Sequence, residues 1–93
     1  MSDEKGYNGW SNYETWCVAL WIGNDESTYN WAREVVKDHK ELYEAADVLK
    51  ECIEEMNPLR DTSTMWTDLM NAALSEVDWY EIAKNYLDEI KEE

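Results

Sequence analysis

The stretch NYETWCVALWIGND, residues 12–25, decides the fold. Ser11 and Glu14 around its start form an S-x-x-E capping box, a pairing that satisfies the orphan N–H groups of a helix start. Tyr13, Trp16, Cys17, Leu20 and Trp21 follow at i, i+3, i+4, i+7 and i+8, an apolar stripe at helical spacing. Gly23 suits a C-terminal cap. Val18, Ala19 and Ile22 fall off the stripe, so the helix is apolar nearly all round. A helix of that kind belongs at the centre of a fold. A buried strand is the rival reading for so short an apolar run. The capping box and the lack of partner strands decide for the helix.

Outward from that segment the chain continues to read as helices. Glycine and proline are scarce, and Glu, Lys, Ala, Leu and Met are abundant. The Asn8-Gly9 pair is the one hairpin-like turn signal. A second helix is expected from Asn24 or Asp25, burying Tyr29, Ala32, Val35 and Val36. A third, ELYEAADVLKECIEEM, places Leu42, Ala45, Ala46, Leu49, Cys52, Ile53 and Met56 on one face and stops at Asn57-Pro58. LRDTST reads as a loop with several possible caps. A fourth helix, MWTDLMNAALSEV, is expected to bury Trp66, Leu69, Met70, Ala73, Leu74 and Val77. A fifth opens with Asp78 and Glu81 as a capping box and repeats Trp79, Ile82, Ala83, Tyr86, Leu87 and Ile90. The expectation is an all-α bundle of about five short helices around a central first helix. It forms one domain over residues 1–93, with 1–10 and 89–93 flexible.

The totals support one small domain. Ninety-three residues bury a modest core, and six Trp and six Tyr can compensate, because each ring buries roughly 150–250 Å². The start is polar and acidic, unlike a signal peptide. The longest apolar run, WCVALWI, is far short of the roughly 20 residues a membrane span needs. With two cysteines and no disulfide framework, a soluble cytoplasmic protein with reduced thiols is expected.

Charge is the strongest signal, with 22 acidic residues against 8 basic and a net of −14. Such a surface repels nucleic acid and anionic lipid and attracts a basic partner. Charge that serves solubility alone is the plain alternative. The basic run Arg33, Lys37 and Lys40 is interleaved with Glu34, Asp38 and Glu41, so a nucleic-acid footprint is missing.

Catalytic and metal-binding patterns are not found. Cys17 and Cys52 fall on apolar faces, and His39 is the single histidine, so neither a Cys–His pair nor a zinc ligand set emerges. No EF-hand loop, P-loop or G-x-G-x-x-G is present. With 22 carboxylates, proximity of two carries no information about acid–base chemistry. The charges of the third helix, Glu41 among them, sit where solvent-facing charge ordinarily sits, although a divalent metal there is conceivable. No cofactor, metal or catalytic residue is expected.

Two features remain. Carboxylates at i and i+4 stand about 6 Å apart, and rows of them can imitate the phosphates of a nucleic-acid strand. Glu44, Asp47, Glu51, Glu54 and Glu55 form one candidate row. Glu81, Asp88 and Glu89, continued by Glu92 and Glu93, form another. The other feature is the tryptophans. Most read as core, but Trp10 precedes the first helix and Trp31 falls beside the Tyr29–Ala32–Val35 stripe; either, if exposed, is a candidate protein-contact anchor.

GWSNYETWCVALWIGNDE, followed by YNWARE, resembles a family of small phage- and plasmid-encoded proteins of largely unknown function. Their pattern is G-[WY]-x-N-x-E-T-W-x-V-x-L-W followed by N-[DE]. ALSEVDWYEIAKNYL, residues 73–87, is similar to their C-terminal N/D-W-x-E-I-A segment. The resemblance covers both ends of the chain and implies a mobile genetic element. Small acidic anti-restriction and anti-CRISPR DNA mimics are similar in type, not in motif. The expected function is therefore a non-enzymatic inhibitor presenting acidic helical faces to a basic host nucleic-acid-handling enzyme, such as a CRISPR or restriction complex. The alternative is a helical adaptor or homo-oligomer that binds through exposed Trp and Tyr.

Overall fold

Four of the five helices begin at a side chain that accepts a backbone N–H, and these caps set the element boundaries. In the computed structural model, which describes residues 8–59 and 61–92, the order is α1 (Tyr13–Asn24), α2 (Glu26–Asp38), α3 (Leu42–Glu55), α4 (Met65–Ser75) and α5 (Trp79–Lys91). There is no strand element among the described residues. The expectation of an all-α bundle of five short helices is met. The caps are Asn12 to α1, Asp25 to α2, Thr64 to α4 and Asp78 to α5. Each supplies an oxygen to a donor that the helix itself cannot satisfy. α3 starts at Glu41 without a side-chain cap.

Two local expectations at α1 are corrected. The cap is Asn12, whose Oδ1 accepts the Thr15 N–H at 2.8 Å, and not Ser11. Ser11 is taken by a distant partner, Glu81, described below. Gly23 lies within α1 and does not end it. The chain turns at Asp25 instead, whose extended backbone closes α1 and opens α2. Its carboxylate accepts the N–H and hydroxyl of Ser27 at 2.8 and 2.7 Å, which holds its pKa below the usual aspartate value. The Thr28 hydroxyl donates back to the Ile22 carbonyl at 2.7 Å, so an orphan acceptor of the last turn of α1 is satisfied by α2.

The core is built by α2, α3 and α5. α3 and α5 make the most extensive helix pair, and α2 packs on both. Ala32, Ala45, Ala83, Leu49 and Ile82 are completely buried, and Val35, Val36, Ala46, Trp79 and Tyr86 nearly so. Alanines on all three helices let their axes approach while Leu49 and Ile82 fill the space between. The expected inner faces of α2 and α5 are observed. That of α3 is observed except at Met56, which is exposed. Cys17 and Cys52 are half-buried free thiols.

The centre of the fold is therefore α5 and not α1. α1 buries only Thr15 and Ile22, with Val18 and Ala19 packed against the core. Of the stripe expected to face inward, Tyr13, Leu20 and Trp21 are exposed, Trp21 at 70%, and Trp16 and Cys17 are half-buried. A helix apolar on all sides carries no periodic signal to choose its inner face, so the smaller side chains won the contact with α2 and α5. α4 departs further. Val77 just beyond it is buried and Leu74 packs partly, but Met65, Trp66 and Leu69 are exposed and Ala73 is exposed with them. Its one buried residue is Thr67. The Thr67 hydroxyl meets those of Thr62 at 2.6 Å and Thr64 at 3.1 Å, so hydroxyls rather than rings anchor the start of α4.

The expected flexibility of residues 1–10 falls mostly on 1–7, outside the described residues, while Trp10 packs partly against the core. At the other end α5 continues through Glu89 and Ile90 to Lys91. Among the described residues no helix is long and apolar enough to cross a membrane.

Candidate functional site

The segments that carry the sequence resemblance meet in a polar clasp. Asn12, besides capping α1, donates its side-chain N–H to the Glu76 carbonyl at 2.7 Å. Thr15 is fully buried, and its hydroxyl oxygen accepts the Asp78 N–H at 2.8 Å. Asp78 in turn caps α5 through the Glu81 N–H at 3.0 Å. Glu81 accepts from both the N–H and the hydroxyl of Ser11, at 3.2 and 2.7 Å. The expected Asp78–Glu81 box is thus shared: one half is local, and Ser11, just before α1, supplies the other. Asn12 and Thr15 join the start of α1 to the α4–α5 turn, which accounts for an Asn and a Thr at that spacing. The clasp holds the start of α1 against the α4–α5 turn.

The expected acidic rows have different fates. Glu44, Asp47, Glu51, Glu54 and Glu55 share one side of α3, opposite Ala45, Ala46 and Leu49; all are exposed except half-buried Glu54. Glu51, Glu54 and Glu55 border a cleft of about 510 Å³ whose far wall is Asn71 and Ser75 of α4, with Lys50 among them. The second row does not form an open line of charge. Glu81 is held in the clasp. Asp88 receives Lys84 at 3.1 Å. Glu89 receives Arg33 at 2.7 Å and the Tyr29 hydroxyl. Glu92 is exposed, and Glu93 lies outside the described residues.

The Glu89 cluster ties α2 to α5. Arg33, only 13% exposed, bonds to Glu89 and lies 5.7 Å from the centre of the Tyr29 ring. Tyr29 and Tyr86 rings meet at 5.8 Å. The hydrogen bond to Glu89 raises the Tyr29 pKa, with burial adding to it. Burial pushes Tyr86 up to about 12, helped by the negative charge of Glu89. This is a structural tie between helices, because its carboxylate and guanidinium satisfy each other.

The tryptophans are also redistributed. Trp10 and Trp31 pack partly against the core. Trp31 lines a groove of about 520 Å³ between α2 and the end of α3, with Ser27, Thr28, Cys52, Glu55 and Met56. The exposed indoles are Trp21 and Trp66, at 70% and 64%. A shallow groove of about 130 Å³ between the first turns of α1 and the end of α4 is lined by Tyr13, Glu14, Cys17, Val18, Ala73, Leu74 and Val77. Sequence reasoning assigned Trp21, Trp66 and Leu69 to the core. A signal was present, since the apolar arcs of α1 and α4 are wider than one packed face requires.

Among the described residues, no group of three or more His, Cys, Asp and Glu side chains is placed to hold a metal ion. His39 lies with Nδ1 2.7 Å from the Val35 carbonyl, one turn back on α2. The described surface carries exposed apolar residues on α1 and on α4 and exposed carboxylates on α3.

No curated protein and no solved structure matches the chain. A family model does match, over residues 3–93, and the chain belongs to that Family of unknown function (DUF7249).

Proposed function

We propose that this chain is a non-enzymatic interaction protein that binds a basic protein partner through exposed apolar side chains of α1 and α4. The observation that carries this reading is the exposure of Trp21 with Leu20 on α1, and of Trp66 with Met65 and Leu69 on α4. Large apolar side chains grouped at a surface mark contact sites, and tryptophan is the commonest anchor of such contacts. The net charge of −14 selects a cationic partner. Capture of partners from a host lysate tests it. Trp21→Ala/Trp66→Ala loses the partner while circular dichroism stays unchanged; retention of the partner overturns the reading.

A second reading is favoured by the five carboxylates on the solvent side of α3. In it the chain is a phage- or plasmid-encoded inhibitor acting in the host cytoplasm, and the α3 row occupies the basic cleft of a nucleic-acid-handling enzyme such as a CRISPR or restriction complex. The resemblance to mobile-element proteins supports that context. Reversal of Glu44, Asp47, Glu51, Glu54 and Glu55 to Lys then abolishes inhibition, and the interaction weakens steeply with salt. Full inhibition by the reversed variant sinks this version.

A further inference from the structure

The Asn8-Gly9 pair precedes α1 and takes no part in the hydrogen bonds of the clasp. Both residues are exposed, and both hold a left-handed backbone, with φ of 55° and 94°. Positive φ at two successive residues is what a type I′ turn requires, and Asn-Gly is its preferred sequence. The surroundings are open: a Cβ placed on Gly9 would meet nothing within 4 Å. No hydrogen bond to another described residue engages the Asn8 carboxamide or the Gly9 N–H. A side-chain carbonyl therefore stands next to a backbone nitrogen that carries no side chain to shield it.

We propose that Asn8-Gly9 is a self-modification site, at which the folded chain deamidates with water as the only co-reactant. The Gly9 nitrogen gives up its proton and attacks Cγ of Asn8. The new C–N bond closes a five-membered imide, and the Asn8 amide nitrogen takes up a proton and leaves as ammonia. Water then adds to one of the two imide carbonyls. The ring opens to aspartate, or to a β-linked aspartate that carries one more backbone carbon. The other described asparagines lack this arrangement. Asn12 uses both ends of its carboxamide, on Thr15 and Glu76. Asn57 accepts from Leu59, and the next residue, Pro58, has no N–H. Asn30, Asn71 and Asn85 lie inside helices, where the next N–H is committed to the backbone ladder. Asn24 is followed by Asp25, whose side chain crowds the nitrogen that would attack. The product carries one negative charge more than the −14 of the starting chain. That charge arises next to Gly9 and Trp10, which line a depression of about 140 Å³ with Glu81, Lys84, Asn85 and Asp88.

The test holds the full folded chain in mildly alkaline buffer and follows it by peptide mapping with mass spectrometry. The expected result is the mass gain of NH₂ exchanged for OH, appearing first and fastest in the peptide that contains Asn8. Labelling of that peptide by an isoaspartyl methyltransferase identifies the β-linked product, which only the imide route yields. Asn8→Gln, whose longer side chain would have to close a six-membered ring, loses the modification while circular dichroism stays unchanged. A second sample unfolded in urea shows what the same sequence does without its turn. Conversion of Asn8 in urea but not in the folded chain means that the turn protects the pair, and overturns the proposal. So does a folded chain in which another asparagine converts before Asn8. Aspartate at Asn8 without any β-linked product points to direct hydrolysis and overturns it as well.

Discussion

α3 and α4 both carry large apolar side chains at helical spacing, yet they relate to the molecule in opposite ways. α3 turns Ala45, Ala46 and Leu49 fully inward and its carboxylates outward. α4 turns Met65, Trp66 and Leu69 outward and is held by Thr67, Leu74 and the following Val77. The difference is one of supply. α2, α3 and α5 bury one another's apolar faces and leave little uncovered core. α1 and α4 then compete for what remains with arcs wider than it can cover. The surplus stays at the surface, where stability gains nothing from it and a partner can.

That contrast yields measurable differences. The largest effect belongs to the core: Leu49→Ala or Ile82→Ala costs about 2–5 kcal/mol in urea unfolding, because each leaves a cavity in a fully buried site. Leu69→Ala, at a residue 58% exposed, stays within about 0.5 kcal/mol. Equal costs for the two would erase the distinction between the regions. Thr15→Val comes next. It leaves the Asp78 N–H without its acceptor and costs about 1–3 kcal/mol, while Thr15→Ser keeps the oxygen and costs less. Asn12→Ala removes a cap and a bond to Glu76, about 1 kcal/mol. If both clasp variants prove neutral, α1 is held by apolar packing alone.

A pH titration sharpens the core side. The folded pKa of Tyr86 is raised to about 12, from about 10 for a free tyrosine. A group raised in this way stabilises the fold fully below its unfolded value. That contribution is lost as pH climbs from about 10 through about 12. Tyr86→Phe, which cannot ionise, shows a flatter decline of stability over that window. An identical decline places the alkaline sensitivity elsewhere. The smallest effect is at the surface: Lys84→Ala, which removes an exposed i,i+4 pair with Asp88, changes stability by less than about 0.5 kcal/mol.

Much of the fold was legible because helix formation is local. The stops and starts at Asp25, Asn57-Pro58, Thr64 and Asp78 follow from side chains within four residues of the groups they satisfy. The inner faces of α2 and α5 were legible because each has one apolar arc and one polar arc. α1 was not, since Val18, Ala19 and Ile22 break any contrast between its sides. Ser11 illustrates a subtler limit. Its spacing to Glu14 fits a capping box, but Glu81, seventy residues away, takes both its N–H and its hydroxyl.

The candidate site divides along the same line. The charge of −14 and the segregation of the α3 carboxylates opposite its apolar face are properties of the amino-acid sequence itself. Only the tertiary structure decided that Glu81 and Glu89 are engaged by Ser11, Tyr29 and Arg33, and that Trp21 and Trp66 rather than Trp10 and Trp31 are the most exposed indoles. Helical periodicity and capping act over about one turn, so sequence determines which residues share a helix face. Which of two apolar faces is buried depends on how much core the other helices leave, and that is a property of the whole chain.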